Sequence, residues 1–475
     1  MINSKSEKLL LATFIIINVA LYFFSYNGAT FKEGADASQY YIPALSFIEY
    51  GEFLTNDGST IFTRGTPLYS ILLAIPISIF GIDESAIAIV CIQSILLYLT
   101  GFLSRQILLQ FTSKFGLLLH ALVIFNPNSI ITAHLVQSET LFAFLIVWSV
   151  VMAFRVINDF SLKNIIFLGV LTGLATLTRP VGLYLLIFWP MFVLISLIIK
   201  GKLNIDNRSI FPRKSQWAKL LSIVIIGGLV ISPWYIRNYV NTGELFLTSN
   251  TGAYLRDQYF QLKNKGSGWP VIEAQKEHKR IFSNYMNKEG KSVDDCLNKF
   301  DLSCDDALTH VTIRAIAGEN LTTHTKALFD SWATLFFSGG ASNIRNYLGL
   351  HGKGLIVDFQ SNSFNGLGSI MTLVRSMSPS YLFIFVLTTM FTTISRVVGL
   401  FGVFHLLKDK KWRPYGLLIL EVILIFSAAY LYLGQSRFRV PLEPFLMLFT
   451  VIGIAGMVKK YRKITNHRTT DNEIK

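Results

Sequence analysis

Long apolar stretches separated by short polar turns recur along the whole 475-residue chain. A helix needs about 20 such residues to cross a bilayer. Runs of that order occupy residues 9–26, 85–104, 115–130, 139–156, 164–179, 181–199, 218–238, 380–406, 414–433 and 439–457. They predict an all-α, polytopic transmembrane bundle of about ten spans. Residues 66–81 (TPLYSILLAIPISIFG) break the pattern: the run is short, carries Pro67 and Pro76, and ends at Gly81. It reads as an interfacial or re-entrant helix, tolerated where protein or a wet cavity supports the backbone.

Charge decides the threading. With Lys5 and Lys8 placed in the cytoplasm, alternate turns fall inside, and they carry Arg105 with Lys114 and Arg155 with Lys163. The next inside segments hold Lys200, Lys202, Arg208, Arg213, Lys214 and Lys219, then Lys408, Lys410, Lys411 and Arg413, then the tail with Lys459, Lys460, Arg462 and Lys463. Each is net basic, as the positive-inside rule requires. Counting 66–81 as a crossing would move every later basic loop to the wrong side. The organisation is therefore a membrane module (1–238) with a first outer loop (27–84), an extracytoplasmic loop or small subdomain (239–379), C-terminal membrane helices (380–458) and a cytoplasmic basic tail (459–475). Both termini are expected inside, in an inner (plasma) membrane, and residues 9–25 are read as an uncleaved first helix because no small-residue cleavage site follows them. In the long outer loop, 305–317 and 321–337 have helical periodicity, whereas the Gly/Ser/Asn-rich stretch 338–369 reads as loop.

The net charge of +14 does not imply nucleic acid, because the basic residues sit in short loops beside apolar runs. Three cysteines are too few for a disulfide scaffold. Cys91 lies in an apolar run, and Cys296 and Cys304 share a polar loop where they either pair or stay free thiols. Phosphate-cradling glycine loops, zinc-spaced ligands and a G-x-S-x-G elbow are absent, so no cofactor is indicated, and a divalent metal is an open alternative that the sequence does not support.

Five arginines run against the orienting bias. Arg64, Arg179, Arg237, Arg437 and Arg439 all fall at outer segment ends. Guanidinium groups bind phosphate through two parallel hydrogen bonds and keep their charge when partly buried, so their convergence points to a phosphate site; snorkelling is the alternative for any one of them. Asp36 stands at the predicted N-cap of an amphipathic helix whose apolar face is Tyr41, Ala44, Leu45 and Ile48. A carboxylate held there is either a cap or a general base for an acceptor hydroxyl. Glu139, in FNPNSIITAHLVQSETLF, is the second candidate and faces the same surface; capping is again its bland account. Glu33, Tyr40, Tyr69, His134 and Trp234 complete the candidate substrate-binding set. Arg396 and Glu421, at similar depth on consecutive spans, are expected to form a structural ion pair.

Together, ADASQYYIPALSFIEYG, RGTPLYSILLAIPISIFG, FNP with SETLFAFL, GLATLTRPVGLYLL, ISPWYIRNY and SRFRVPLEP resemble the GT-C superfamily of polyprenyl-phosphate-sugar glycosyltransferases. The likeness is to bacterial relatives of the dolichyl-phosphate-mannose protein mannosyltransferases (glycosyltransferase family 39-like), and the lipid A aminoarabinose transferases have similar architecture. It covers residues 1–250 well and the last spans moderately. It implies Asp36 as catalytic base and Glu139 as an acidic lining residue of the same cavity. It also implies an interfacial helix after the first loop and an extracytoplasmic active site. The donor would be a polyprenyl-phosphate sugar, undecaprenyl or dolichyl, and the acceptor a cell-envelope glycan, lipid or protein, with inversion at the anomeric carbon. Many members carry an acidic pair in the first loop; here Ala35 and Ala37 flank Asp36, with Glu33 the nearby carboxylate.

Two other readings compete. An O-antigen or polysaccharide polymerase combines many spans with outer arginines, but Asp36 and RGTPLY argue against it. A lipid-linked sugar flippase would need polar groups along a path through the bilayer, and no internal repeat suggests paired halves.

Overall fold

Among the described residues every regular element is helical, apart from an isolated antiparallel bridge between Leu54 and Ile61. The structure is a computed structural model that describes residues 4–25, 29–32, 36–55, 58, 60–201, 214–290, 293, 302–350 and 377–472. The first half contains α1 (Lys5–Phe23), α2 (Ala29–Lys32), α3 (Ser38–Tyr50), α4 (Leu68–Phe80), α5 (Ser85–Leu108), α6 (Gly116–Ile124), α7 (Pro127–Thr132), α8 (Glu139–Asn158), α9 (Leu162–Thr178), α10 (Gly182–Ile199) and α11 (Lys214–Thr242). The second half contains α12 (Thr251–Ser267), α13 (Val271–Lys288), α14 (Leu302–Ala317), α15 (Leu321–Phe337), α16 (Ala341–Tyr347), α17 (Pro379–Lys408), α18 (Arg413–Ala429), a 3₁₀ turn (Ser436–Leu442) and α19 (Glu443–Asn472).

Among the described residues, seven helical segments are long and apolar enough to cross a bilayer: α1, α5, α8, α10, α11, α17 and Ser436–Lys459. Three of the expected crossings are shorter. The 115–130 run is split at Asn126, whose side chain accepts from the amides of Asn128 and Ser129 and so starts a new helix with Pro127 in its first turn. The other two, α9 and α18, have 17 residues each. The 66–81 run forms α4, whose 13 residues extend about 20 Å, too short for a crossing. The long outer loop is more helical than expected: α12 and α13 precede the two anticipated helices, and α16 lies within the stretch read as loop. Residues 351–376 of that stretch lie outside the described residues.

The bundle is built around α8, with 83% of its apolar window buried. Where α17 crosses α19, Gly402 faces the Phe449 carbonyl and Gly453 the Val398 carbonyl, so that any side chain there would collide with backbone. Small residues serve the same close approach between membrane helices generally. The two ends of the bundle are distinguished by polar contacts. At one end Arg105 pairs with Glu7 at 2.9 Å and Lys200 donates to Asn158 at 2.8 Å. At the other, Tyr40 and Arg179 both reach the Ser138 hydroxyl, at 3.0 and 3.1 Å, which places the first loop and the α9–α10 turn together.

One buried charge cluster differs from expectation. Arg396 pairs with Glu443, not with Glu421: its Nη2 lies 2.9 and 2.8 Å from the two carboxylate oxygens. Arg439 binds the same carboxylate through Nε. Glu443 is fully buried and the two arginines are 6% and 1% exposed. The remaining donors take the free carbonyls at the end of α15, Arg439 bonding Leu335 and Ser338 and Arg396 bonding Phe336. Glu421 keeps one oxygen buried without a hydrogen-bond partner among the described residues. Depth alone does not say which helix faces which; the partner is Glu443, the first residue of α19, four positions after Arg439 on the 3₁₀ turn. Removing one member of such a cluster leaves charge buried and uncompensated, which typically costs about 3–5 kcal/mol. Glu443→Gln should therefore lower the thermal unfolding midpoint of the detergent-solubilised protein sharply, whereas Glu421→Gln should leave it nearly unchanged.

Candidate active site

The shared end of the bundle gathers two arginine–carboxylate pairs. Asp36 does not cap α3; the N-cap residue is Ala37, which makes no side-chain capping bond. The Asp36 carboxylate instead lies 2.8 Å from Nη1 of Arg437, on the 3₁₀ turn that enters α19. Nε of Arg437 is buried without a partner among the described residues, and its guanidinium rests 4.8 Å above the Phe438 ring, itself stacked on Tyr430. The second pair is Glu139, first residue of α8, and Arg179, which ends α9, at 2.8 Å.

Tyr40 lies near both carboxylates. It sits one turn into α3, packs edge-on against Tyr69 with ring centres 5.0 Å apart, and hydrogen-bonds Ser138. Burial raises its phenol, the positive charge of Arg179 opposes the rise, and Glu139 and Asp36 add to it. Tyr69 is fully buried and donates to Gln93, which in turn donates to the carbonyls of Ala133 and Leu135. It supports Tyr40 from behind.

A helix with no signal in its residue pattern to single it out closes this rim. The N-terminus of α12 receives the Asp305 carboxylate across from α14, which accepts from the amides of Thr251 and Gly252 at 3.0 and 2.8 Å. Tyr254 donates to the Ala429 carbonyl at 2.6 Å, and Gln258 accepts from the Tyr432 amide at 2.8 Å. Anchored so, α12 brings the Arg256–Asp257 pair toward the first loop. Burial lifts the Asp257 carboxyl, Arg256 pulls it down, and the negative charge of Asp36 adds to the lift. Burial and Arg256 together pull the Arg64 guanidinium below its ordinary value. Nothing in periodicity or residue type marks Arg256 and Asp257; only the tertiary docking of α12 does.

The other expected residues are elsewhere. Arg439 belongs to the buried cluster around Glu443, at 1% exposure. Arg237 spends its guanidinium on Glu52, at 2.9 and 2.6 Å, and on the carbonyls of Phe53 and Phe62, tying the end of α11 to the first loop. Trp234 donates to the Leu247 carbonyl at 2.9 Å and lies under Arg237. His134 is fully buried between the Tyr347 hydroxyl and the Asn18 side chain, at 3.0 and 2.9 Å. Glu33 lies outside the described residues. Cys304 is disulfide-bonded and Cys91 is free, while Cys296 lies outside the described residues.

The comparisons agree with this architecture. No family model matches the chain, and no curated protein matches it by sequence. Among solved structures, the chain is similar to the archaeal oligosaccharyltransferase AglB of Archaeoglobus fulgidus in complex with an inhibitory peptide and a dolichol-phosphate. The TM-score is 0.51 and the identity 14%, over 98% of this chain and 52% of that one. The apo form of the A. fulgidus oligosaccharyltransferase matches with a TM-score of 0.50 and 16% identity, over 96% and 51%. ArnT of Cupriavidus metallidurans bound to undecaprenyl phosphate matches with a TM-score of 0.37 and 13% identity, over 92% and 77%. The chain thus shares its fold with that oligosaccharyltransferase, of which it spans about half the length.

No three His, Cys, Asp or Glu side chains converge among the described residues in a way that would hold a metal ion. Asp36 and Glu139 each already face a guanidinium, so this donor set does not fit a divalent cation.

Burial lowers His134 from 6.5 to about 4, so it is neutral in the folded protein at neutral pH. The unfolded chain binds the proton first as pH falls, so the folded state loses stability from about pH 6.5 down to about pH 4 and keeps it above that window. By linkage the loss approaches about 3 kcal/mol at the acid end. Unfolding midpoints measured across this window should fall less steeply for His134→Gln than for the parent.

Proposed function

We propose that this protein is an integral membrane glycosyltransferase that takes a sugar from a polyprenyl-phosphate donor and transfers it to a cell-envelope acceptor on the extracytoplasmic face. The observation that carries the proposal is the pair of rim ion pairs, Arg437 with Asp36 and Arg179 with Glu139, with Tyr40 tied to the second through Ser138 and close enough to the first to feel the charge of Asp36. A fold shared with an oligosaccharyltransferase solved with dolichol-phosphate supports it.

Chemically, the two pairs differ. Glu139 is 3% exposed and serves to fix Arg179, which is the more open partner at 16%. Asp36 is 30% exposed and can meet an acceptor. A donor phosphate entering between the arginines takes over the charge that Asp36 supplies to Arg437, and the unpartnered Nε of Arg437 offers a further donor. This exchange releases the Asp36 lone pairs for the acceptor proton. The acceptor oxygen then attacks the anomeric carbon from the face opposite the phosphate, its proton passes to Asp36, and the bond from anomeric carbon to phosphate oxygen breaks. The electron pair leaves on the polyprenyl phosphate, where the two guanidiniums stabilise it, an electrostatic effect of the kind that dominates many enzymes. The product is inverted at that carbon.

In reconstituted protein supplied with polyprenyl-phosphate sugars, Asp36→Asn should cut turnover by about 10²–10⁴-fold, the usual worth of a positioned base, while donor binding is kept or tightened because the carboxylate that competes for Arg437 is neutralised. Arg179→Ala should weaken donor binding by at least tenfold, as loss of charge-assisted hydrogen bonds worth about 1.5–3 kcal/mol would. Full turnover by the Asp36 variant refutes the base, and unaltered donor affinity in the Arg179 variant removes it from the phosphate site.

A further inference from the structure

The outer helix α15 has three sectors. Thr323, Ala327, Ser331 and Leu335 are buried, and Ser331 accepts from the amide of Gly434 at 2.6 Å. A polar strip holds Thr322, Lys326 and Asp330. Between them, at helical spacing, Leu321, Phe329 and Trp332 form a stripe exposed at 78%, 80% and 40%. Such a face on a helix wholly in water would be costly and prone to association.

The end of this helix is fixed at a depth. Its last carbonyls, from Leu335, Phe336 and Ser338, are held by Arg396 and Arg439. Arg396 stands twelve residues before the Lys408 end of α17, about 18 Å along the helix, inside a hydrocarbon layer about 30 Å thick. Gly339, just beyond α15, abuts the backbone of Thr388 and Thr389, beside Leu387 and Met390, which are exposed on α17 at 57% and 56%. The end of α15 thus sits against α17 beside its exposed apolar side chains, and a soluble partner covering the stripe down to that end would have to follow it into the membrane.

We infer that α15 is inserted along its Leu321–Phe329–Trp332 face into the outer leaflet, with the acyl and headgroup boundary of the bilayer as its partner. Tryptophan and phenylalanine are the side chains that favour that boundary. The inference depends on the membrane setting alone and stands apart from the catalytic reading. Its consequence is mechanical. The buried face of α15 packs on α12, through Ala327 near Leu262 and Thr323 against Gly266, and α12 carries Arg256 and Asp257. Lipid therefore holds the helix that closes the rim.

The test places a nitroxide at Phe329→Cys and, separately, at Lys326→Cys, in a Cys91→Ser background, with the full chain in nanodiscs of phosphatidylcholine and phosphatidylglycerol. The parent without either new cysteine supplies the background signal. At 329 the label should collide more with oxygen than with a water-soluble nickel complex, and at 326 the order should reverse. Nickel access at 329 equal to that at 326 would place the stripe in water and overturn the inference; low access to both reagents would mean protein covers it, and would overturn it equally. Should Phe329→Cys fail to fold, quenching of the Trp332 fluorescence difference (parent against Trp332→Phe) by lipids brominated near the headgroup decides the question: shallow quenching supports insertion, and none refutes it.

Discussion

The placement of the rim depends on a charge cluster some way below it. Glu443 is fully buried and holds both Arg396 and Arg439. In hydrocarbon neither guanidinium tolerates being unpaired, and a lone carboxylate would be equally costly. The three groups therefore fix the relative positions of α17, α19 and the 3₁₀ turn. Because the arginines also take three carbonyls from the end of α15, the outer subdomain is attached to the same point. Arg437 is two residues from Arg439 on that turn, so the cluster sets where the Arg437–Asp36 pair forms.

The two rim pairs are arranged differently from this cluster. Below, two cations share one anion and spend their other donors on backbone. At the rim each cation has one carboxylate, and the Arg437–Asp36 pair is partly open, at 22% and 30%. A matched pair in a partly wet setting is held weakly, typically by no more than about 1 kcal/mol. That makes it exchangeable. A phosphate brings more negative charge and more acceptor oxygens than a carboxylate, so it competes well for a guanidinium.

Much of this was legible in the sequence because the bilayer constrains it strongly. Span length and loop charge are consequences of one slab of hydrocarbon, so the helical bundle, the short α4 and the gathering of Asp36, Tyr40, Glu139 and Arg179 at one end could be anticipated. What escaped was whatever depends on which helix faces which. Arg396 was assigned the wrong carboxylate, and Arg439 was grouped with Arg437 although neighbours on a 3₁₀ turn point different ways. Arg237, His134 and Trp234 look chemically able, yet their groups are spent on Glu52, Asn18, Tyr347 and backbone. An apolar flank cannot distinguish a side chain that joins two loops from one that waits for a ligand.

The contribution of α12 carries the same lesson further. Its mean composition is polar, so no membrane argument locates it, and its N-terminus is capped from another helix by Asp305, 53 and 54 residues away. Two hydrogen bonds to the α18–3₁₀ connection, at Ala429 and Tyr432, then lay it against the rim. The carboxylate of Asp257 consequently feels Asp36, and the guanidinium of Arg256 feels Arg64. The membrane helices thus supply one wall of the site and the outer subdomain the other. In the proposed reaction a donor carried in the bilayer would approach from the first wall, since its chain cannot leave lipid. An acceptor would then be sorted at the second, where charge of both signs stands in the open.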